Sequence, residues 1–208
     1  MISSDTLNIV TNSNDVVSHK LTHGPVIRNL KILTCFFIIT LFQPLYANEI
    51  LEYKEKLIEL GKIDQQSRSD NLYWDEQIKL DKSNLKQLKE LINKFGFPTI
   101  DKVGKKAHIS AFLMAQHAVN DREFMKFYLK ETELRLHTGA IINKTYVYLI
   151  DRINELSGKK QIYGTQGQCV NGEYKLSSQV EDINNIENLR KKIGLLSLND
   201  FSKQACTH

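Results

Sequence analysis

The stretch A-H-I-S-A-F-L-M-A-Q-H-A-V, from Ala107 to Val119, has almost no polar face. A helix that is apolar nearly all round belongs in an interior, so Lys102–Val119 predicts the central helix of a mainly α fold. Its alanines let neighbouring helices approach closely. Gln116 and His117 are the polar exceptions, at its C-terminal end. A buried imidazole or amide left unpaired costs roughly 1–3 kcal/mol, so both side chains require partners. His117 has two readings. It is a general acid–base group or orienting donor, or a core histidine bonded to a backbone carbonyl.

Helical spacing recurs on both sides of this segment. Ile50, Leu51, Leu57, Ile58 and Leu60 predict a helix over Asn48–Arg68, closed by the polar run Asp64 to Arg68. Ser83 reads as the cap of a second helix that carries Leu85, Leu88, Leu91, Ile92 and Phe95 on one face and stops at Gly96. Phe97 must be extended, because the residue before a proline avoids the helical region. Asp121 is a natural N-cap for a helix from Arg122 to about His137. A fifth helix covers Lys144–Leu156. Asn171-Gly172 between short alternating segments predicts a β-hairpin. A last helix spans about Ile183 to Ile193, and Leu195, Leu196 and Leu198 form a packing tail. The expected fold is a single compact helical domain of about six helices over residues 48–208, with a small β-hairpin near the C-terminus.

The N-terminus carries a different signal. Ile32 to Phe42 is an uninterrupted apolar run, about half of the roughly 20 residues that a spanning helix needs. Arg28 and Lys31 precede it, and Pro44 and Ala47 come after it. That order matches a secretory signal peptide over residues 26–47, cut after Ala47, with an uncleaved anchor as the alternative. Residues 1–25 are polar and aperiodic, and they push the apolar run far from the start. They read as an extension, with translation beginning near Val26 or Leu30. The implied destination is export, periplasmic or secreted, with membrane contact only through an uncleaved signal segment. Past that cut the chain keeps Cys169 and Cys206, which in an oxidising compartment are a possible disulfide or two free thiols.

With 208 residues, net charge +4 and 25% charged residues, the chain has no basic stripe, and acidic and basic residues interleave. Nucleic acid is not an expected partner. There is no H-E-x-x-H, C-x-x-C, G-x-S-x-G or glycine-rich phosphate loop, so no metal and no cofactor are expected. Polar loops on rigid scaffolds are where binding concentrates. The Q-I-Y-G-T-Q loop, Gln161 to Gln166, is therefore a candidate site through Tyr163, Gly164, Thr165 and Gln166. Tyr148, Asp151, Arg152 and Glu155 share a helix flank. Arg152 there is either a fork for an anionic group or half of an intrahelical ion pair. Asp64, Gln65 and Arg68 have the same profile.

Several short motifs fall in order along the chain. They are D-Q-Q-S-R at Asp64–Arg68, G-F-P-T at Gly96–Thr99, Val103-Gly104, Gln116-His117-Ala118, Asp121, Asp151-Arg152, Tyr163 to Gln166, and Arg190 through Gly194-Leu195. Together they resemble a bacterial family described only as a domain of unknown function, over about Ile63 to Phe201. The resemblance implies that His117, Arg152 and Tyr163–Gln166 share one pocket, and it supplies no reaction. Members of that family usually carry an aspartate after Q-H-A, where Val119 stands here; Asp121 is the candidate substitute. The cysteines belong to none of the motifs.

The leading expectation is an exported helical domain binding a small polar or anionic ligand. Arg68 and Arg152 would anchor it, and Gln116, Tyr163, Thr165 and Gln166 would line the site. The enzyme alternative makes His117 a general acid or base for hydrolysis or group transfer, with Asp121 or Asp151 setting its tautomer. A protein-interaction module in the envelope, or an effector, is the third reading.

Overall fold

Tyr53, Leu57, Leu60, Gly61, Asp64 and Ser67 recur at three- and four-residue spacing, and all are buried on one stripe of α1 (Leu30–Ser69). This is the geometry of a helix laid on a core. The stripe is apolar in its first half and polar in its second. In the computed structural model, residues 30–70 and 72–206 are described, with side chains from residue 47 onward. The predicted extension 1–25 lies outside the described residues. Of the predicted signal segment 26–47, only the helical backbone from Leu30 and the exposed Ala47 side chain fall within them. Contacts group Gln43–His208 into one unit, and the hydrophobic core belongs to it entirely.

α2 (Trp74–Phe95) mirrors α1. Its inward face is Gln77, Asp81 and Asn84 in the first half and Leu88 and Ile92 in the second. The two helices run antiparallel. Tyr53 stacks on Phe95 at 4.8 Å near one end, and Arg68 pairs with Asp81 at 2.8 Å near the other. Apolar halves therefore meet apolar halves, and the polar halves meet at the opposite end. The expected start at Ser83 is corrected here: the helix begins at Trp74, and Ser83 is an exposed mid-helix residue.

α3 (Ile100–Gln116) is the central helix that its composition predicts, with Ala107, Ala111, Met114 and Ala115 almost wholly buried. It ends three residues before the expected Val119. Gly104 interrupts it with φ 79° and ψ 162°, a conformation that only glycine adopts without strain. The segment before it is tied down by backbone acceptors. The Tyr53 hydroxyl donates to the Gly96 carbonyl at 3.0 Å, and His108 Nδ1 donates to the Pro98 carbonyl at 2.9 Å. His108 Nε2 then accepts from the Ile142 N–H at 3.2 Å. Both ring nitrogens are used, so His108 is a neutral, fully buried structural histidine, and burial holds its pKa below the usual value.

α4 (Arg122–Glu133) starts on the expected cap, with Asp121 Oδ1 accepting from the Phe124 N–H at 3.0 Å. It stops short of the expected His137. α5 (Asn143–Leu156) packs along α4. The hairpin forms as its Asn-Gly pair requires: β1 (Gly167–Val170) and β2 (Glu173–Leu176) are antiparallel, with Cys169 opposite Tyr174. α6 (Ile186–Lys192) comes next. Of the expected packing tail, Leu195 and the exposed Leu196 precede another helix, α7 (Leu198–Ala205), which Leu198 opens. Cys169 and Cys206 are bridged, 37 residues apart. On the chain-entropy model a closed loop of that size stabilises by about 4 kcal/mol. Among the described residues the chain thus forms seven helices and one small hairpin, a mainly α fold. Among those residues, no helix is long and apolar enough to cross a membrane.

α1 and α3 touch where Gly61 meets Ser110. A Cβ added at Gly61 would collide with the Ser110 side chain and lie 3.0 Å from its Cα. Gly61→Ala gains about 1 kcal/mol of helix propensity, but overpacking costs about 1–3 kcal/mol. The expected outcome in urea unfolding is net destabilisation, relieved when Ser110→Gly is added. A stabilised single variant would show that the helices part at no cost.

Candidate functional site

The polar halves of α1 and α2 converge with the C-terminus of α3. Asp64 is 1% exposed, on the inward stripe of α1. A buried carboxylate needs several donors, and it has them. Gln65 Nε2 donates to Oδ2 at 2.7 Å, and Arg68 Nη2 lies 3.4 Å from Oδ1. His117 Nδ1 sits 2.9 and 3.0 Å from the two oxygens. Arg68 also pairs with Asp81 at 2.8 Å, and Gln77 Nε2 donates to the same Asp81 oxygen at 2.8 Å.

Arg68 Nε also lies 3.0 Å from His117 Nδ1. One nitrogen cannot accept from the guanidinium and donate to the carboxylate at once. The Asp64 charge at contact distance favours a proton on Nδ1, donated to the carboxylate, while the Arg68 Nε–H favours a lone pair there. Burial pushes the Asp64 carboxyl up; the His117 hydrogen bond and charge, the Gln65 bond and the Arg68 charge outweigh it, so the pKa lies below the usual carboxylate value. Nε2 of His117 has no protein partner among the described residues, and its side chain is 20% exposed. His117 also lines a recess of ≈ 10 Å³, together with Asp81, Lys82, Leu85, Ala118 and Asn120. That is room for about one water.

The loop Gln161–Gln166 belongs to a second network. Asp151, fully buried on α5, accepts from the backbone N–H of Ile162 at 2.7 Å and of Thr165 at 3.0 Å. It also takes the Tyr163 N–H at 3.1 Å and the Thr165 hydroxyl at 2.9 Å. Gln161 Nε2 donates to the Gln166 carbonyl at 2.9 Å, and its Oε1 takes the Gln166 N–H at 2.7 Å. Arg190, 1% exposed, donates to the Tyr163 carbonyl at 2.5 Å and the Leu196 carbonyl at 2.7 Å. Burial lowers the Arg190 pKa, partly offset by neighbours led by Glu187. Gly164, at φ 63°, packs on Ile186 and Leu198 with little space for a side chain.

The expected single pocket is therefore replaced by two hydrogen-bond networks, and among the described residues no hydrogen bond joins them. Asp64, Gln65, Arg68 and His117 come together. Asp151, Tyr163, Gly164, Thr165 and Gln166 form a loop clasp elsewhere. Arg152 pairs with Glu155 at 2.9 Å on its own helix. The carboxylate in contact with His117 is Asp64, not Asp121 or Asp151. Asp121 is occupied by the α4 cap and by Lys89 at 2.5 Å, which lowers its pKa, and Asp151 is consumed by the loop. Gln116 is buried next to His117 in sequence, and its Oε1 has no partner among the described residues. Gln77 and Asp81 escaped the sequence reading. Their one signal is that Gln77, Asp81 and Asn84 form a polar stripe at helical spacing. Among the described residues, no group of three or more His, Cys, Asp or Glu side chains could hold a metal ion.

A helical domain built around a buried aspartate–histidine pair is the class that fold and site define. The chain matches a family of unknown function (DUF6624) over residues 66–205 and belongs to that family. No curated protein and no solved structure matches it.

Two outcomes test these networks. Asp64 has a folded pKa below its unfolded value of about 3.9. Its stabilisation is complete above that pH and lost as pH falls through the lower folded value. Asp64→Asn should flatten this acid limb in unfolding measured from pH 5 to pH 2, whereas an unchanged limb would mean the carboxylate is not held. In the other network, Asp151→Asn should cost about 1–3 kcal/mol for each N–H left unpaired. Amide exchange should then quicken at Tyr163 and Thr165 and stay unchanged in α3; protection retained at those two amides would refute the clasp.

Proposed function

We propose that the protein is a general acid–base catalyst acting on a small polar molecule, with hydrolysis as the reaction type. The observation that carries this is the contact of a partly exposed His117 with the buried Asp64 carboxylate at Nδ1, beside a water-sized recess that His117 lines; in this reading Nδ1 donates to Asp64 and Nε2 is free to take a proton. A ligand site alone needs no such pair; a general base needs the second nitrogen unblocked and the first one held. In this reading Nε2 takes one proton from a water as the water oxygen bonds to the substrate's electrophilic atom. Asp64 stabilises the imidazolium that forms, and the proton returns to the departing group. Arg68, paired with both Asp64 and Asp81, is a positioning residue. Gln65 and Gln77 orient those carboxylates.

Export remains part of the proposal. It rests on the basic, apolar and small-residue order over residues 26–47, and the Cys169–Cys206 bridge supports an oxidising destination.

His117→Gln decides the catalytic role. Assayed against small carboxylic esters, amides and phosphate esters, the wild-type chain should turn over one class. The variant should lose about 10²–10⁴-fold, the contribution of a positioned proton-transfer group, with an unfolding midpoint close to the wild type. Equal turnover in both proteins, or no wild-type turnover in any class, rejects the reading.

A further inference from the structure

Lys82, Leu85 and Asn120 line the His117 recess and also line a wider groove of ≈ 440 Å³, continued by Lys86, Lys89 and Asp121. The two spaces share a wall, and the larger is of the size that small-molecule ligands occupy. Charge in the groove is unbalanced. Lys89 is spent on Asp121 at 2.5 Å. Lys82 and Lys86 are exposed and have no ion-pair partner among the described residues; Glu90 offsets one of them. They stand four residues apart on α2, about 6 Å along the axis. Two ammonium groups at that spacing reach one anion from the same side. The Asn120 amide, on the turn after α3, adds a neutral donor.

We propose that the substrate carries a phosphate group, held in this groove by Lys82, Lys86 and Asn120, while its reacting end lies at the mouth of the recess, against the water beside His117. This rests on the acid–base reading of His117 and names the chemical class of its substrate. A phosphate monoester carries about −1.5 to −2 charge at neutral pH and three acceptor oxygens. It suits two ammonium point charges and an amide, whereas a carboxylate is matched by a single guanidinium fork. The guanidinium nearest the site, Arg68, is already committed to Asp64 and Asp81. The phosphate serves as a handle and takes no part in bond making. Lys82 is the lysine shared by both spaces, so the handle sits about one helical turn from the recess, and the substrate is small.

The test uses the full chain and inorganic phosphate, followed by nuclear magnetic resonance of the histidine rings and backbone amides. Phosphate should bind saturably and shift the signals of His117 and Asn120, and acetate should not. The pair Lys82→Met and Lys86→Met should weaken phosphate binding at least tenfold; the control pair Lys105→Met and Lys106→Met, on α3, should leave it unchanged. Equal binding in the two paired variants, absence of saturation, or equal binding of acetate overturns the proposal. The same spectra report the His117 tautomer. Phosphate failing while Nδ1 stays protonated removes the substrate class alone. Phosphate binding with the proton on Nε2 instead removes the acid–base reading and the substrate assignment with it.

Discussion

A carboxylate that folding removes from water has to be surrounded by donors, and Asp64 is where this protein meets that requirement. Its position on the inward stripe of α1 is set by helical spacing from Tyr53, Leu57 and Leu60. Burial there without compensation would cost several kcal/mol. The chain supplies Gln65 and Arg68 from the same helix, and His117 from the end of α3. Arg68 in turn brings in Asp81 and Gln77 of α2. Three helices are thus held in register at one end by a chain of charge-assisted contacts, while Tyr53, Phe95 and their apolar neighbours close the other end.

Asp151 meets the same requirement with a different result. Both of its oxygens are taken up by N–H groups of the Gln161–Gln166 loop and by the Thr165 hydroxyl. Neither Asp151 oxygen is left without a donor. At Asp64 one of the donors is an imidazole, and an imidazole has a second nitrogen. That difference in donor chemistry separates a clasp from a site able to move protons. Arg190, buried and bonded to the Tyr163 carbonyl before Gly164 and to the Leu196 carbonyl before α7, ties the clasp to the C-terminal segment.

The parts of the fold that were legible in the residues are those with strong apolar periodicity or turn chemistry. These include the central helix from Ala107, the Asp121 cap, α5, and the Asn171-Gly172 hairpin. The start of α2 was not legible. Its first turns aim Gln77, Asp81 and Asn84 inward rather than hydrocarbon, so hydrophobic spacing begins only near Leu85, and Ser83 looks like a cap. The helix was hidden by the feature that makes it part of the site. His108 was hidden in a similar way. Its partners, the Pro98 carbonyl and the Ile142 N–H, lie in segments that only the packed fold brings to it, so the chain's core histidine is His108 and not His117.

The sequence alone determined that the chain is a mainly helical domain with a hairpin, and it singled out His117, Asp64, Gln65 and Arg68 as groups with chemistry to offer. Local spacing and capping carry that information, because they depend on residues within a turn or two of each other. The tertiary structure decided which of these groups meet. Asp64 and His117 are 53 positions apart, and their pairing depends on how α1 crosses α3 at Gly61 and Ser110. The assignment of Asp151 and Tyr163–Gln166 to a separate clasp rests on the same kind of long-range packing. No local rule contains it, because burial and partner choice are properties of the assembled core.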